Sequence, residues 1–171
     1  AHLAGETVAR DAFMQVIQAS LNASDGTHTT YDVVGLTGAV WASAVTGINL
    51  DPTSGKWASA NSTAQLANLM LAWRAPGGGF VGSTAAAGGV IDANADTQTT
   101  AFAMQALDAV DRSTYATQIT SGFAYITSLQ EASGEFLGYI GATPGSEGAV
   151  EGHGETLEAY ASITQRPQDV Y

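Results

Sequence analysis

Acidic side chains around a single histidine form the densest cluster of titratable residues in the sequence. Glu147, Glu151, His153, Glu155 and Glu158 all lie within one short segment. Paired carboxylates can perform acid–base chemistry on a glycan, but acidic residues also suit a solvated helix N-terminus because they complement its dipole. The solvated helix end is the favoured interpretation, and an acid–base site is the alternative. The candidate catalytic residues of that alternative are Asp96, Glu151 and Glu155.

A second acidic segment, Asp92-Ala-Asn-Ala-Asp96, precedes another predicted helix. If the two acidic segments are adjacent, their carboxylates share one rim, where repulsion raises pKa values or a cation neutralises the charge. Oxygen ligands suit calcium better than zinc, whereas an imidazole favours a transition metal. The favoured expectation is a solvated connector without a cofactor. Candidate rim residues are Asp92, Asp96, Glu151 and His153, and candidate metal ligands are Glu147, Glu151 and Glu155.

Charge and composition exclude several classes of protein. The 171 residues include 5 basic and 16 acidic ones, so the net charge is −11 and the chain repels nucleic acid and anionic membrane surfaces. No apolar run reaches the roughly 18 residues of a membrane span. The absence of cysteine excludes disulfides, thiolate zinc sites, iron–sulfur clusters and cysteine catalysis. The glycine-rich segment 76–80 lacks the lysine of a phosphate-binding loop.

The composition favours a secreted protein. Small and hydroxylated residues dominate, Lys56 is the single lysine, and the chain starts without an initiator methionine. Two Asn-x-Ser/Thr sequons, at Asn22 and Asn61, are candidate glycosylation sites in a glycosylating host.

Four large aromatic residues have two interpretations. Trp41, Trp57, Trp73 and Tyr139 can line a sugar-binding or apolar groove. Tryptophan in a small helical domain is more often a core residue, because its large ring buries much apolar area. The core interpretation is therefore favoured.

The spacing of apolar residues predicts an all-α fold. Apolar residues recur at intervals of three and four in six segments, which is typical of amphipathic helices. In one of them, Asn61–Thr63 supply an N-cap, and Pro76 with the following glycines ends the helix. Residues 145–155 are expected to connect the paired helices of the last repeat, and the glycines around His153 suit either a mobile loop that closes on a ligand or a plain connector. The predicted helices cover residues 5–21, 31–46, 61–74, 96–110, 114–130 and 153–164.

An internal repeat organises these helices. The same pattern occurs twice, 56 residues apart. In each copy the end of a helix is followed by a polar turn, a glycine and a phenylalanine, at Trp73–Phe80 and at Leu129–Phe136. A period of this size predicts stacked helical hairpins, although chance similarity is the alternative. We expect Phe80 and Phe136 to be buried equivalently under their own hairpins. The prediction is one domain over 1–171, with approximate repeats 5–50, 60–110 and 114–164.

The repeated unit resembles the repeat of the squalene-cyclase and prenyltransferase superfamily. The resemblance is carried by Arg74–Phe80 with Asp96–Leu107, and by Gln130–Phe136 with Glu151–Ala161. It implies an α/α toroid, in which inner and outer helices alternate around a ring of about six hairpins. This chain has room for about three hairpins, so the expected architecture is an α/α-toroid-like arc of about half a ring.

The catalytic residues of the superfamily have no matching residues in this sequence. Class II terpene cyclases use Asp-x-Asp-Asp, and the nearest segment here, Asp92–Asp96, has the wrong spacing. Protein prenyltransferases and thioester domains both need a cysteine that this chain lacks. Cobalamin carriers hold a ligand in the same kind of ring without a catalytic residue. The resemblance therefore favours binding over catalysis.

The leading prediction is a secreted, non-catalytic helical-repeat domain for ligand binding or protein assembly. One alternative is a polysaccharide- or terpenoid-active enzyme that uses acidic residues, and another is a structural subunit of a cell-surface layer or filament. An open arc exposes apolar helix flanks at its ends. Because the degenerate N-terminal hairpin has polar turns suited to a cap, we expect a homo-oligomer or a partner protein to dock through the C-terminal hairpin.

Overall fold

The computed structural model describes residues 5–24, 32–145 and 147–164. For residues 147–151 it describes the backbone alone. The prediction of a mostly helical protein is confirmed, because six α-helices account for most of this described part. Two strands of two residues each, β1 (Phe80–Val81) and β2 (Ala95–Asp96), pair antiparallel, and a short 3-10 helix covers Asp92–Asn94. The helices are α1 (Thr7–Ala23), α2 (Asp32–Thr46), α3 (Thr63–Leu71), α4 (Thr97–Asp111), α5 (Ala116–Ser128) and α6 (Glu147–Thr164).

Side-chain caps fix the start of two helices. The Ser62 hydroxyl accepts a hydrogen bond from the Gln65 backbone N–H at the start of α3. The Asp96 carboxylate accepts one from the Thr99 N–H, 2.6 Å away, at the start of α4. Both caps satisfy backbone donors that the first helical turn leaves without partners. The cap of α3 confirms the N-cap predicted at Asn61–Thr63.

Helix α4 lies at the centre of the molecule. It packs between α2 and α6 and also contacts α3 and α5. Its alanine-rich surface allows this close packing, since small side chains let neighbouring helix axes approach. Ala101, Ala103 and Ala106 are completely buried, together with the larger Met104 and Leu107.

The two glycine–phenylalanine turns have matching backbone hydrogen bonds. Ala75 N–H donates to the Gly79 carbonyl, and Glu131 N–H donates to the Glu135 carbonyl, both at 2.8 Å. Phe80 is completely buried and Phe136 is 7% exposed, so the prediction that both rings are buried is confirmed.

Each turn also attaches to the helix that lies one hairpin earlier in the chain. The Gly82 carbonyl accepts the Val33 N–H at the start of α2, and the Gly138 carbonyl accepts the Thr97 N–H at the start of α4. Helix N-termini need such acceptors because their first N–H groups have none within the helix. Successive hairpins are therefore joined by main-chain bonds as well as by apolar packing.

The start of the last helix differs from the prediction. The sequence predicts a glycine-rich connector over 145–155, but α6 begins at Glu147 and includes Gly152 and Gly154. A Cβ built on Gly152 would lie 2.6 Å from the Thr97 hydroxyl oxygen. Gly152 therefore permits the close approach of α6 to the start of α4, and this packing overrides the low helix propensity of glycine.

None of the helices in the described part of the chain is long and apolar enough to cross a bilayer.

Candidate functional site

Asp96 occupies a structural position. Besides capping α4, its carboxylate accepts a hydrogen bond from the Thr99 hydroxyl at 2.8 Å, and its backbone pairs with both Phe80 and Tyr139. Burial raises the pKa of the Asp96 carboxyl, and the hydrogen bonds from Thr99 offset only part of this effect. Burial of Tyr125 raises the pKa of its hydroxyl, and the nearby Asp96 and Asp92 carboxylates raise it further.

The other described candidates also hold structural hydrogen bonds. Asp92 accepts the Gly77 N–H at 2.6 Å and so fastens the turn after α3. The His153 Nδ1 atom accepts the Phe136 N–H at 3.4 Å, and the two rings lie 5.3 Å apart. Glu155 accepts a hydrogen bond from the Gln98 side chain of α4 at 2.7 Å. The Gln98–Glu155 contact joins α4 to α6, and the Phe136–His153 contact holds the preceding turn against α6.

The 92–96 segment contacts the C-terminal hairpin at Tyr139, which lies outside the second acidic segment that was predicted to share the rim. Asp96 pairs with Tyr139, so the 92–96 segment lies beside the turn that follows Phe136. Among the described residues, however, no group of three His, Asp or Glu side chains is arranged to hold a metal ion. The side chains of Glu147 and Glu151 lie outside the described residues.

The two sequons differ in their surroundings. Asn22 lies in the last turns of α1, where its side-chain oxygen accepts the Thr53 N–H at 2.9 Å. Asn61 is exposed in the segment before α3. Asn61 is therefore the more accessible of the two candidate glycosylation sites.

A buried ion pair, which sequence reasoning missed, joins three segments. Lys56 donates to the Asp32 carboxylate and, at 2.8 Å, to the Thr84 hydroxyl. Burial alone would raise the pKa of Asp32, but the hydrogen bonds from Lys56 and Thr84 outweigh burial and lower it. The Lys56 side chain is 18% exposed and that of Asp32 only 4%. The one signal in the sequence was that Lys56 is the single lysine.

An open apolar groove with a volume of about 1050 Å³ lies between α1 and α2. Phe13 and Val16 line it from α1, and they are 72% and 64% exposed. From α2 it is lined by Trp41, 42% exposed, and by Gly35 and Gly38. We call this surface the α1–α2 groove.

The apolar spacing predicted helices over 5–21 and 31–46, but spacing alone does not show which apolar side chains another element covers. In α1, Met14 and Leu21 are buried, whereas Phe13 lies on another face. Of the four aromatic residues, Trp57 is buried, Trp73 is half-buried, and Trp41 and Tyr139 are exposed. The core interpretation is therefore wrong for Trp41, because α1 covers only part of α2, and for Tyr139, which lies in the exposed turn after Phe136.

A smaller cavity of about 190 Å³ lies between α2, α4 and α6. Gly38 and Trp41 of α2 line both this cavity and the groove. The other residues that line the cavity are Val34 and Thr37 of α2, Phe102 and Gln105 of α4, and Glu158 of α6. Gln105 is only 7% exposed. Its Nε2 atom has no hydrogen-bond partner in the described part of the protein. We call this space the Gln105 cavity.

Comparison with known proteins found no matching family model, no similar curated protein and no similar solved structure.

Proposed function

We propose that this chain is a secreted, non-catalytic helical-repeat domain whose α1–α2 groove binds a small ligand with an apolar chain. The observation that carries the proposal is the groove itself. Its volume of about 1050 Å³ is at the upper end of small-molecule sites, and its lining is largely apolar. Exposed phenylalanine, valine and tryptophan side chains in one concave surface cost free energy in water, and a bound apolar chain would recover it.

The groove has one cationic and one anionic residue among its lining, Arg10 and Asp32. Asp32 is already neutralised by Lys56, and Arg10 pairs with the neighbouring Asp11. Because both charges have partners within the chain, most of the binding free energy is expected from apolar contact.

The proposal extends to the architecture. An α/α-toroid-like arc of three hairpins is supported by the order of the helices, since α4 packs between α2 and α6. It is supported also by the matching turns at Phe80 and Phe136. In such an arc α2, α4 and α6 would form the inner layer, and the Gln105 cavity would open between them.

Assembly through the C-terminal hairpin is a second part of the proposal. Leu157 of α6 is 53% exposed and offers an apolar contact for another copy or a partner protein. The N-terminal hairpin, expected to be a polar cap, instead carries the larger apolar surface, which we assign to the ligand.

The experiment is a fluorescence titration with N-phenyl-1-naphthylamine, an uncharged probe that brightens in apolar sites. We expect saturable binding to the unmodified protein and at least about tenfold weaker binding to Phe13→Ser. Phe13 is mostly exposed, so its replacement should leave the fold intact. The matched control is Ile91→Ser, because Ile91 is 43% exposed but lies outside the groove. Equal weakening by both substitutions, or no saturable binding, would contradict the proposal.

A further inference from the structure

The Gln105 cavity adjoins the α1–α2 groove and has polar side chains of its own. Gly38 and Trp41 of α2 line both spaces. Both linings are mainly apolar, but the cavity lining also includes an amide, Gln105, and a carboxylate, Glu158. A ligand chain lying in the groove would therefore meet polar groups where it reaches Trp41.

Gln105 has an unmet hydrogen-bonding requirement. Its side chain is more than nine-tenths buried, and among the described residues no acceptor lies within reach of its Nε2 atom. A buried donor without a partner is unfavourable, so native proteins usually satisfy such a donor with protein, water or ligand. The Gln105 cavity is the space next to this residue that a ligand group can occupy.

Gly38 leaves space for that group. A Cβ built on Gly38 would meet no described atom within 4 Å, and its φ is not in the left-handed region. Neither backbone conformation nor packing within the described chain therefore requires glycine here. Glycine in a helix interior is less favourable than alanine, and its presence is accounted for if something outside the chain approaches α2 at this point.

We propose that the Gln105 cavity holds the hydroxylated head group of an amphipathic ligand whose apolar chain lies in the α1–α2 groove. This inference rests on the proposed function. A hydroxyl can accept from the Gln105 amide and donate to the Glu158 carboxylate, because it is both donor and acceptor. An ammonium could not accept from Gln105, and a carboxylate or phosphate would be repelled by Glu158 and by the net charge of −11.

The size of the cavity indicates a head group larger than one hydroxyl. At roughly 30 Å³ for each water-sized group, about 190 Å³ holds about six non-hydrogen atoms. Trp41 and Phe102 offer apolar ring surfaces to the C–H groups of such a head. A small polyol of the size of glycerol, esterified to an alkyl chain, has both the volume and the chemistry.

The test compares three probes with the same twelve-carbon chain, below their micelle concentrations: 1-monolauroylglycerol, laurate and dodecyltrimethylammonium. Affinities are measured by isothermal titration calorimetry. We expect 1-monolauroylglycerol to bind at least about tenfold more tightly than the two charged probes. In Gln105→Met this preference should disappear through weaker binding of 1-monolauroylglycerol, because methionine has a similar size but no donor.

Two further variants keep the test decisive. Glu158→Gln removes the charge from an exposed position and should raise the affinity for laurate by about tenfold. This result does not depend on whether Gln105→Met folds. Phe13→Ser, in the groove alone, should weaken all three probes equally. If the three probes bind equally and Gln105→Met changes nothing, the head-group site is overturned while the groove stands. If none of the probes binds, both proposals fail.

Discussion

Individual carboxylates in this protein act mainly as hydrogen-bond acceptors that hold segments together. Asp32 accepts from Lys56 and Thr84, and so joins the start of α2 to two loops. Asp92 and Asp96 do the same for the turn after α3 and for the start of α4. The acidic composition thus includes structural carboxylates, and counting acidic residues alone could not distinguish these from solvated ones.

Substitution of Asp96 separates its charge from its capping role. Asp96→Ala removes the cap of α4 and should lower the free energy of unfolding by about 1 kcal/mol. Asp96→Asn keeps a good cap and removes a buried charge, so at pH 7 it should be at least as stable as the unmodified protein. Urea unfolding of the three proteins checks this. A loss in Asp96→Asn as large as that in Asp96→Ala would contradict it.

The pH dependence follows from the raised pKa of Asp96. The folded state binds the proton more tightly than the unfolded state, whose carboxyl has a pKa near 3.8. The contribution of Asp96 to stability is therefore fully present below this value, and it is lost as pH rises through the folded pKa. Asp96→Asn should lack this contribution, so its stability relative to the unmodified protein should increase with pH. Asp32 has a lowered pKa, so its contribution to stability is present at higher pH and is lost as pH falls through the folded-state pKa.

At the scale of elements, the glycine turns fix where each hairpin ends. Gly78 and Gly134 occupy corresponding places before Phe80 and Phe136, and both have positive φ, 100° and 91°. Their surroundings differ. A Cβ on Gly78 would lie 2.5 Å from the Ser121 carbonyl oxygen, while a Cβ on Gly134 would meet nothing within 4 Å.

These two glycines give a matched pair of substitutions. Gly134→Ala should cost about 1 kcal/mol, which is the backbone term for a non-glycine residue at positive φ. Gly78→Ala should cost about 1–3 kcal/mol more, because the turn must also move away from α5. Thermal or chemical unfolding of both variants measures the difference. Equal costs would show that the contact with Ser121 is not a constraint.

At the scale of the whole molecule, α4 is enclosed by its neighbours while α1 covers only part of α2. Four exposed large apolar residues of the described chain lie on α1 and α2, and Leu157 is exposed on α6. The others lie in loops, at Ile91, Tyr139 and Ile140. The two ends are therefore expected to have different roles, the first in ligand binding and the second in assembly.

Two charge substitutions test which end mediates association. Leu157→Glu should shift the protein toward monomer, since a carboxylate would be buried in the C-terminal contact. Phe13→Glu should leave the association state unchanged and abolish binding of the apolar probe. Sedimentation velocity at rising protein concentration measures both. A strict monomer at high micromolar concentration, or dissociation by Phe13→Glu alone, would argue against assembly through α6.

The sequence by itself determined the helical class, most helix positions and the two buried phenylalanines. These features depend on local periodicity, on N-caps such as Ser62 and Asp96, and on turns that need glycine, all of which neighbouring residues specify. Tertiary structure decided the rest. The packing of α6 against Thr97 turned a predicted connector into helix, and the partial cover of α2 left Trp41 exposed. The role of each polar residue depends on distant partners, as with Lys56 and Asp32 or the unpaired Gln105. Residue spacing carries no information about such contacts because they form only when separate elements pack.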